Sequence, residues 1–179
     1  MIIDQATIST PTAKSDEERD YYALNRKVYA VFAHFYDLVA LPLRGVRYVV
    51  ATRAGVEAEA RVLDVATGTG GQARAFAERA REVVGVDLAE PMLRIARKKN
   101  RAPNLTFRHA DATALPFGDG TFDLVSISFA LHEMPATIRR RATAEMARVT
   151  RLGGKIVVVD YGRPPGLLGD ALFHVVKIY

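Results

Sequence analysis

One stretch constrains this chain more than any other: Val62-Leu63-Asp64-Val65-Ala66-Thr67-Gly68-Thr69-Gly70-Gly71. Val62, Leu63 and Val65 are apolar and mostly β-branched, which suits a strand covered on both faces of a parallel sheet. Gly68 and Gly70 then permit a turn whose bare backbone lets a ligand come close. The helix expected next, over residues 72–80, opens toward that turn with free N–H groups and the positive end of its dipole. A negative or polar group on a ligand would sit well there.

Strands and helices go on alternating beyond this point. The expected strands are 82–87, 104–109, 124–128 and 155–160, with a helix from Pro91 to near Lys99, another over 139–151, and a turn at Gly153-Gly154. Such alternation implies an α/β fold, a doubly wound parallel sheet with helices on both faces. Ahead of it, residues 1–19 are rich in Thr, Ser, Asp and Lys and read as a loose tail, with order beginning near Asp20. Residues 20–55 form a helical cap, broken by Pro42 and Gly45 before a second helix over 46–54. Tyr29, Phe32, Phe35 and Tyr36 share one face of the first helix. Phe32 and Phe35 suit core packing, whereas the hydroxyls of Tyr29 and Tyr36 suit a cleft. Residues 56–179 are the core domain. It ends in an apolar helical stub over 167–179.

Composition narrows the chemistry. The 179 residues suffice for one domain with its own core. No cysteine is present, which excludes disulfides, thiolate metal sites and cysteine nucleophiles. His34, His109 and His174 show no ligand spacing with acids, so no metal site is expected. The net charge of +5 comes mainly from scattered arginines, which read as solvated surface. No apolar run reaches membrane-spanning length and no secretory leader is evident, so a cytoplasmic location with at most peripheral membrane contact is expected.

Gly68-x-Gly70-x-x-Ala73 satisfies the dinucleotide fingerprint, although a tight turn without a ligand would look the same. Asp64 argues for a ligand, since a carboxylate near the end of an apolar strand needs a cationic or hydrogen-bonding partner. Asp87 follows at about the 20-residue spacing at which an acid binds ribose hydroxyls; its alternative is a helix N-cap.

With Asp64 included, the turn resembles the first motif of the class I S-adenosylmethionine-dependent methyltransferases, acidic-x-Gly-x-Gly-x-Gly, departing from it at Ala66. Residues 28–37, with the Tyr36-Asp37 pair, resemble the lead-in of ubiquinone- and menaquinone-type C-methyltransferases. Leu115-Pro116-Phe117, then Phe122-Asp123 and an apolar strand, is typical of the same branch, and the likeness runs from about Tyr29 to Tyr161. It implies S-adenosyl-L-methionine as cofactor and a Rossmann-like methyltransferase fold, here without the usual last two strands, so that either the core is truncated or something else covers the far sheet edge. The family pattern places Ala66, Thr67, Gly68, Thr69 and Gly70 around the methionine part. Asp111 meets the adenine amino group, with the main chain of Ala112 at the ring. Tyr36, Asp64, Asp87, Leu88, Met92 and Ser128 complete the expected cofactor site.

The segment 129–135 would face the methyl acceptor, with His132 as candidate base for an acceptor that must lose a proton. The family's other branches fit less well. Nucleic-acid pyrimidine methylation needs a cysteine. Amino-methylating DNA enzymes carry an Asn/Asp-Pro-Pro-aromatic motif where this chain has Ser128-Phe129-Ala130-Leu131. Arginine methylation uses two glutamates where only Glu133 stands. A small-molecule or lipid-like acceptor remains, with quinol-type C-methylation as the nearest resemblance and no nucleic-acid partner. A nicotinamide oxidoreductase and a non-catalytic cofactor-binding protein are the alternatives.

Overall fold

The structure, a computed structural model, describes residues 15–39, 41 and 44–160. Most of the expected tail, Pro42 and the stub over 167–179 with its His174 lie outside the described residues, as do the side chains of Phe32, His34 and Phe35.

Two helices come first, α1 (Asp16–Val39) and α2 (Arg44–Arg53). The core then runs β1 (Arg61–Val65), α3 (Gly71–Ala77), β2 (Glu82–Asp87), α4 (Glu90–Lys99), β3 (Leu105–His109), β4 (Phe122–Ser128), α5 (Ala136–Val149) and β5 (Thr150–Val159). Strand order is β3-β2-β1-β4-β5, and every pairing is parallel. The order reverses direction beside β1, so a crevice opens at the carboxyl ends of the strands there.

Side-chain alternation divides the core in two. Val62, Val83 and Leu124 point to one face with Phe76 of α3 and Leu93 of α4. Leu63, Val65, Val84, Val86, Val125 and Ile127 point to the other, with Ile138, Ala142 and Met146 of α5. Burying a side chain such as Phe76 in full contributes about 1.5–3 kcal/mol. Pro91 lies in the first turn of α4, and Arg97, Lys98 and Lys99 occupy its last, favourable for the dipole.

The expected boundaries need several corrections. α1 begins at Asp16, where Ser15 Oγ accepts the backbone N–H of Glu18 at 3.2 Å, so helical order starts ahead of Asp20. α3 stops at Ala77, short of residue 80, and α5 spans Ala136–Val149 in place of 139–151. Gly153-Gly154 is not a turn ahead of the last strand but a bulge inside it. The register jumps from Phe122 opposite Thr150 to Leu124 opposite Lys155. Among the described residues β5 is the sheet edge, and Leu152, Ile156 and Val158 are exposed on it.

α1 lies across the carboxyl ends of the strands. Its Ala33, 1% exposed, meets Ala89 and Met92 at the start of α4. Near its other end Glu18, itself buried, pairs with Arg141 of α5 at 2.9 Å.

Candidate active site

A cavity opens between the strand tips and α1, with about 740 Å³ of empty space, mouth included. That lies in the range of small-molecule sites. The strand side is built by the turn after β1. Ala66 has φ 53, a left-handed conformation ordinarily left to glycine, so the alanine keeps the geometry that a glycine motif would have. Gly68 (φ 56) faces open space: a Cβ placed there would have nothing nearer than Tyr36 Cε1 at 4.0 Å. Gly70 (φ 76) is closed instead, for a Cβ would stand 2.5 Å from Phe107 Cζ. One glycine bares the backbone to the cavity, and the other lets the turn seat against β3.

Asp87 ends β2 and lines the cavity. Its Oδ2 accepts the Gly68 N–H at 2.7 Å and its Oδ1 the Ala89 N–H at 2.8 Å, so the main chain fixes the carboxylate. Burial raises its pKa, and those two N–H groups work against the rise. The N-cap of α4 is Ala89, so Asp87 is not that cap. Asp111, just after β3, also lines the cavity. Its Oδ1 accepts from the Thr113 N–H and hydroxyl, both at 2.8 Å, and its Oδ2 from the Tyr22 hydroxyl at 2.7 Å.

Asp64 is placed differently from the other two acids. It is 1% exposed and does not line the cavity; Thr67 Oγ1 donates to its Oδ2 at 2.6 Å. Burial pushes the Asp64 carboxyl up to about 7, against the pull of the Thr67 hydroxyl and the Arg47 charge. Its Oδ1 has no partner among the described residues, nor does Ser126 Oγ on the neighbouring strand, or Ser128 Oγ at the cavity wall. Of these, only Ser128 Oγ stands at the cavity wall, where it suits a polar group on a ligand.

Of the residues expected around a cofactor, Tyr36, Ala66, Gly68, Asp87, Leu88, Met92, Asp111, Ala112 and Ser128 line the cavity together. Asp64, Thr67, Thr69 and Gly70 lie behind that wall, with both threonine side chains buried. They shape the turn and leave the contact surface to their neighbours.

The opposite wall is α1, through Tyr21, Tyr22, Asn25, Tyr29 and Tyr36. Tyr29 donates to Glu133 Oε2 at 2.6 Å. Burial and then the Glu133 carboxylate raise the pKa of Tyr29 well above the usual phenol value, and Tyr21 is raised for the same two reasons. Both therefore stay protonated donors.

His132 does not line the cavity. The 3-10 turn Leu131–Glu133 directs Glu133 to it, and the His132 ring goes to Asp160, with Nδ1 2.7 Å from Oδ1. Phe129, Ala130, Glu133 and Met134 of the expected acceptor-facing segment do line the cavity, whereas Tyr21, Tyr22 and Asn25 were not anticipated there. The aromatic run of α1 was the available signal for the tyrosines.

Sheet order, turn and covering helix define a Rossmann-like α/β protein of the class I methyltransferase fold. The family described as a methyltransferase domain matches residues 62–154, over half of the chain, and the chain belongs to that family. It is 42% identical over 118 residues to a demethylmenaquinone methyltransferase of Renibacterium salmoninarum, covering 66% of this chain and 48% of that one. To the demethylmenaquinone methyltransferase of Thermus thermophilus it is 47% identical over 113 residues, covering 61% and 50%. The chain thus spans about half the length of the curated relatives it matches. Among solved structures, a putative methyltransferase from Bacillus halodurans superposes with a TM-score of 0.64 at 31% identity, over 73% of this chain and 57% of that one.

Proposed function

We propose that this chain is an S-adenosyl-L-methionine-dependent methyltransferase acting on a small, lipid-like acceptor, with quinol-type C-methylation as the reaction. The observation that carries it is the pairing of a bare Gly68 backbone with the main-chain-fixed Asp87 carboxylate in one cavity. When bound, the cofactor supplies an electrophilic methyl group on a sulfonium, which leaves as a neutral thioether.

The residues present fit that group. Asp87 would accept the two ribose hydroxyls, its carboxylate already aimed by Gly68 and Ala89. Asp111 would take the adenine amino group, with the Ala112 main chain at the ring. The turn from Ala66 to Gly70 would bend around the methionine part, beside Ser128 and Tyr36. Asp64, behind it, would answer the ammonium through the turn, and Leu88 and Met92 would give the nucleoside its apolar floor. α1 would then exclude water and hold the acceptor against the transferred group, which is most of what an in-line displacement asks of a protein.

Residues 20–55 act in this reading as the acceptor-side cover of the core formed by 56–179. No described helix is long and apolar enough to cross a membrane. We place the protein in the cytoplasm, where a lipid-like acceptor requires at most peripheral contact with a bilayer.

Isothermal titration tests the reading. S-adenosylhomocysteine is expected to bind, with nicotinamide dinucleotides giving no saturable heat. Asp87→Ala should weaken S-adenosylhomocysteine by more than tenfold, about 1.4 kcal/mol. Unchanged affinity in that variant, or tighter binding of a nicotinamide dinucleotide, rejects the assignment.

A further inference from the structure

Exposed apolar side chains gather at the corner where α1 gives way to α2. Leu38 is 73% exposed and Leu41 52%, and Val46, Tyr48 and Val49 of α2 are exposed as well. A single surface leucine is ordinary, whereas a run of apolar side chains left open together between Leu38 and Val49 is a patch. Helix geometry explains why α2 leaves them outside. Its buried residue is Ala51, which joins Val50 and Ala54 against the core cluster of Phe76 and Leu93. Val46, Val49 and Arg53, spaced by three and four, share the face turned away from Ala51. Small side chains on the inner stripe seat the helix, so the outer stripe has no core to serve.

The charge at this corner favours one kind of surface. α2 carries Arg44, Arg47 and Arg53 and no acid. Arg47 turns inward, with its guanidinium over Gly71, whereas Arg44 and Arg53 are exposed. Exposed Arg79 reaches Thr52 Oγ1 at 3.0 Å, and Lys155 of β5 donates to the Ala54 and Gly55 carbonyls at 3.1 and 3.2 Å. The acids nearby are Glu78, which accepts the Tyr48 hydroxyl at 3.0 Å, and Glu57 and Glu59 in the loop to β1, at the strand ends away from the cavity. Leu24, also exposed, stands instead beside Glu17, Asp20 and Glu133 along an outer groove of α1. An anionic surface is repelled there and attracted at α2.

We propose that the α1–α2 corner docks on a bilayer of anionic phospholipid, with Leu38, Leu41, Val46 and Val49 entering the interfacial layer and Arg44 and Arg53 meeting the headgroup phosphates. Apolar side chains edged by arginine on one helix face are what such an interface binds. The docking rests on these exposures and charges alone, and its use rests on the methyltransferase reading. Tyr36 lines the cavity two residues before Leu38, so docking lays the end of the cavity's covering helix against the layer that would carry a lipid-like acceptor.

The chain has no tryptophan, so one introduced by substitution reports only its own surroundings. Val49→Trp, and Leu24→Trp as its control, are mixed with vesicles of equal phosphatidylglycerol and phosphatidylcholine, or of phosphatidylcholine alone. Val49→Trp emission should move to the blue on the anionic vesicles, and Leu24→Trp emission should stay. Wild type should sediment with anionic vesicles at least about tenfold more strongly than with neutral ones, and salt should release it. Arg44→Gln and Arg53→Gln should each weaken that binding about fivefold. Leu38→Gln combined with Leu41→Gln should weaken it roughly tenfold or more, with the thermal midpoint and S-adenosylhomocysteine affinity of wild type. Val49→Trp emission unmoved by anionic vesicles, or equal sedimentation with neutral ones, overturns the proposal. So does a Val49→Trp emission already blue in vesicle-free buffer, for the corner is then covered by a second copy or by another segment of protein. Failure of S-adenosylhomocysteine to bind would instead overturn the cofactor assignment, and the vesicle measurements would still judge the corner by themselves.

Discussion

The two walls of the cavity are held by different physics. On the strand side, the carboxylates are gripped by peptide N–H groups: Gly68 and Ala89 on Asp87, Thr113 on Asp111. Those donors are set by sheet register and turn geometry, so the wall cannot move unless the sheet does. On the α1 side, the bonds among the described residues include single phenols, Tyr22 to Asp111 and Tyr29 to Glu133, on a helix that also pairs Glu18 with Arg141 and rests Ala33 on Ala89 and Met92. The first wall suits a ligand common to a whole family, and the second can be refitted to a different acceptor without disturbing the first.

That contrast can be broken at its strongest point. Gly70→Ala forces a Cβ into Phe107 at a backbone angle of φ 76. Strain and overpacking together should cost about 3 kcal/mol. A denaturant midpoint like that of wild type would show that the turn is looser than the strand wall requires.

Asp64 sharpens the comparison through pH. Its folded carboxyl keeps a proton up to about pH 7, whereas the unfolded one releases it near 3.9. Across that window the folded state binds more protons, so this group's stabilisation is complete below about pH 4 and is lost as pH rises through 7. Asp64→Asn should flatten the fall in stability between about pH 4 and pH 7. Parallel pH–stability curves for the two proteins would contradict the burial.

A smaller effect belongs to the other wall. Tyr22→Phe removes one hydroxyl bond to Asp111 and should cost about 1 kcal/mol. Amide hydrogen exchange should quicken in α1 while β1 and β2 keep their protection. Equal loss in both would mean that the walls are one unit.

Smallest of all, Ala66→Gly relieves a left-handed alanine. Part of the gain is offset by the freedom of glycine in the unfolded chain, leaving a net stabilisation of about 0.5 kcal/mol by thermal melt. A lower melting point would show that the alanine methyl has a packing role.

The strand wall was legible in the sequence because its signals are local. Apolar β-branched runs specify buried parallel strands, and Ala66 to Gly70 in series specify the turn. Even so, spacing could not separate Asp87, at the cavity, from Asp64, sealed behind Thr67, since both stand at strand ends and differ only in what the turn folds over them. The α1 wall was half legible. Periodicity put Tyr29 and Tyr36 on one face, but the carboxylate that Tyr29 meets, Glu133, comes from the far side of the chain. His132 and Glu133 are neighbours in sequence, and only the 3-10 turn decides which of them enters the cavity. Gly153-Gly154 looked like a turn because glycine pairs usually are; parallel pairing with β4 runs past them and turns them into a bulge.

Ala33 touches no ligand position, yet it governs the ceiling of the chamber. It is a point where α1 rests on α4, against Ala89 and Met92, and the smallness of the two alanines helps to set how low the tyrosine ladder hangs over the strand tips. A bulkier side chain at this fulcrum would raise every rung together. Headroom for the acceptor is therefore adjustable from a helix crossing, by substitutions that leave each rung's own chemistry intact.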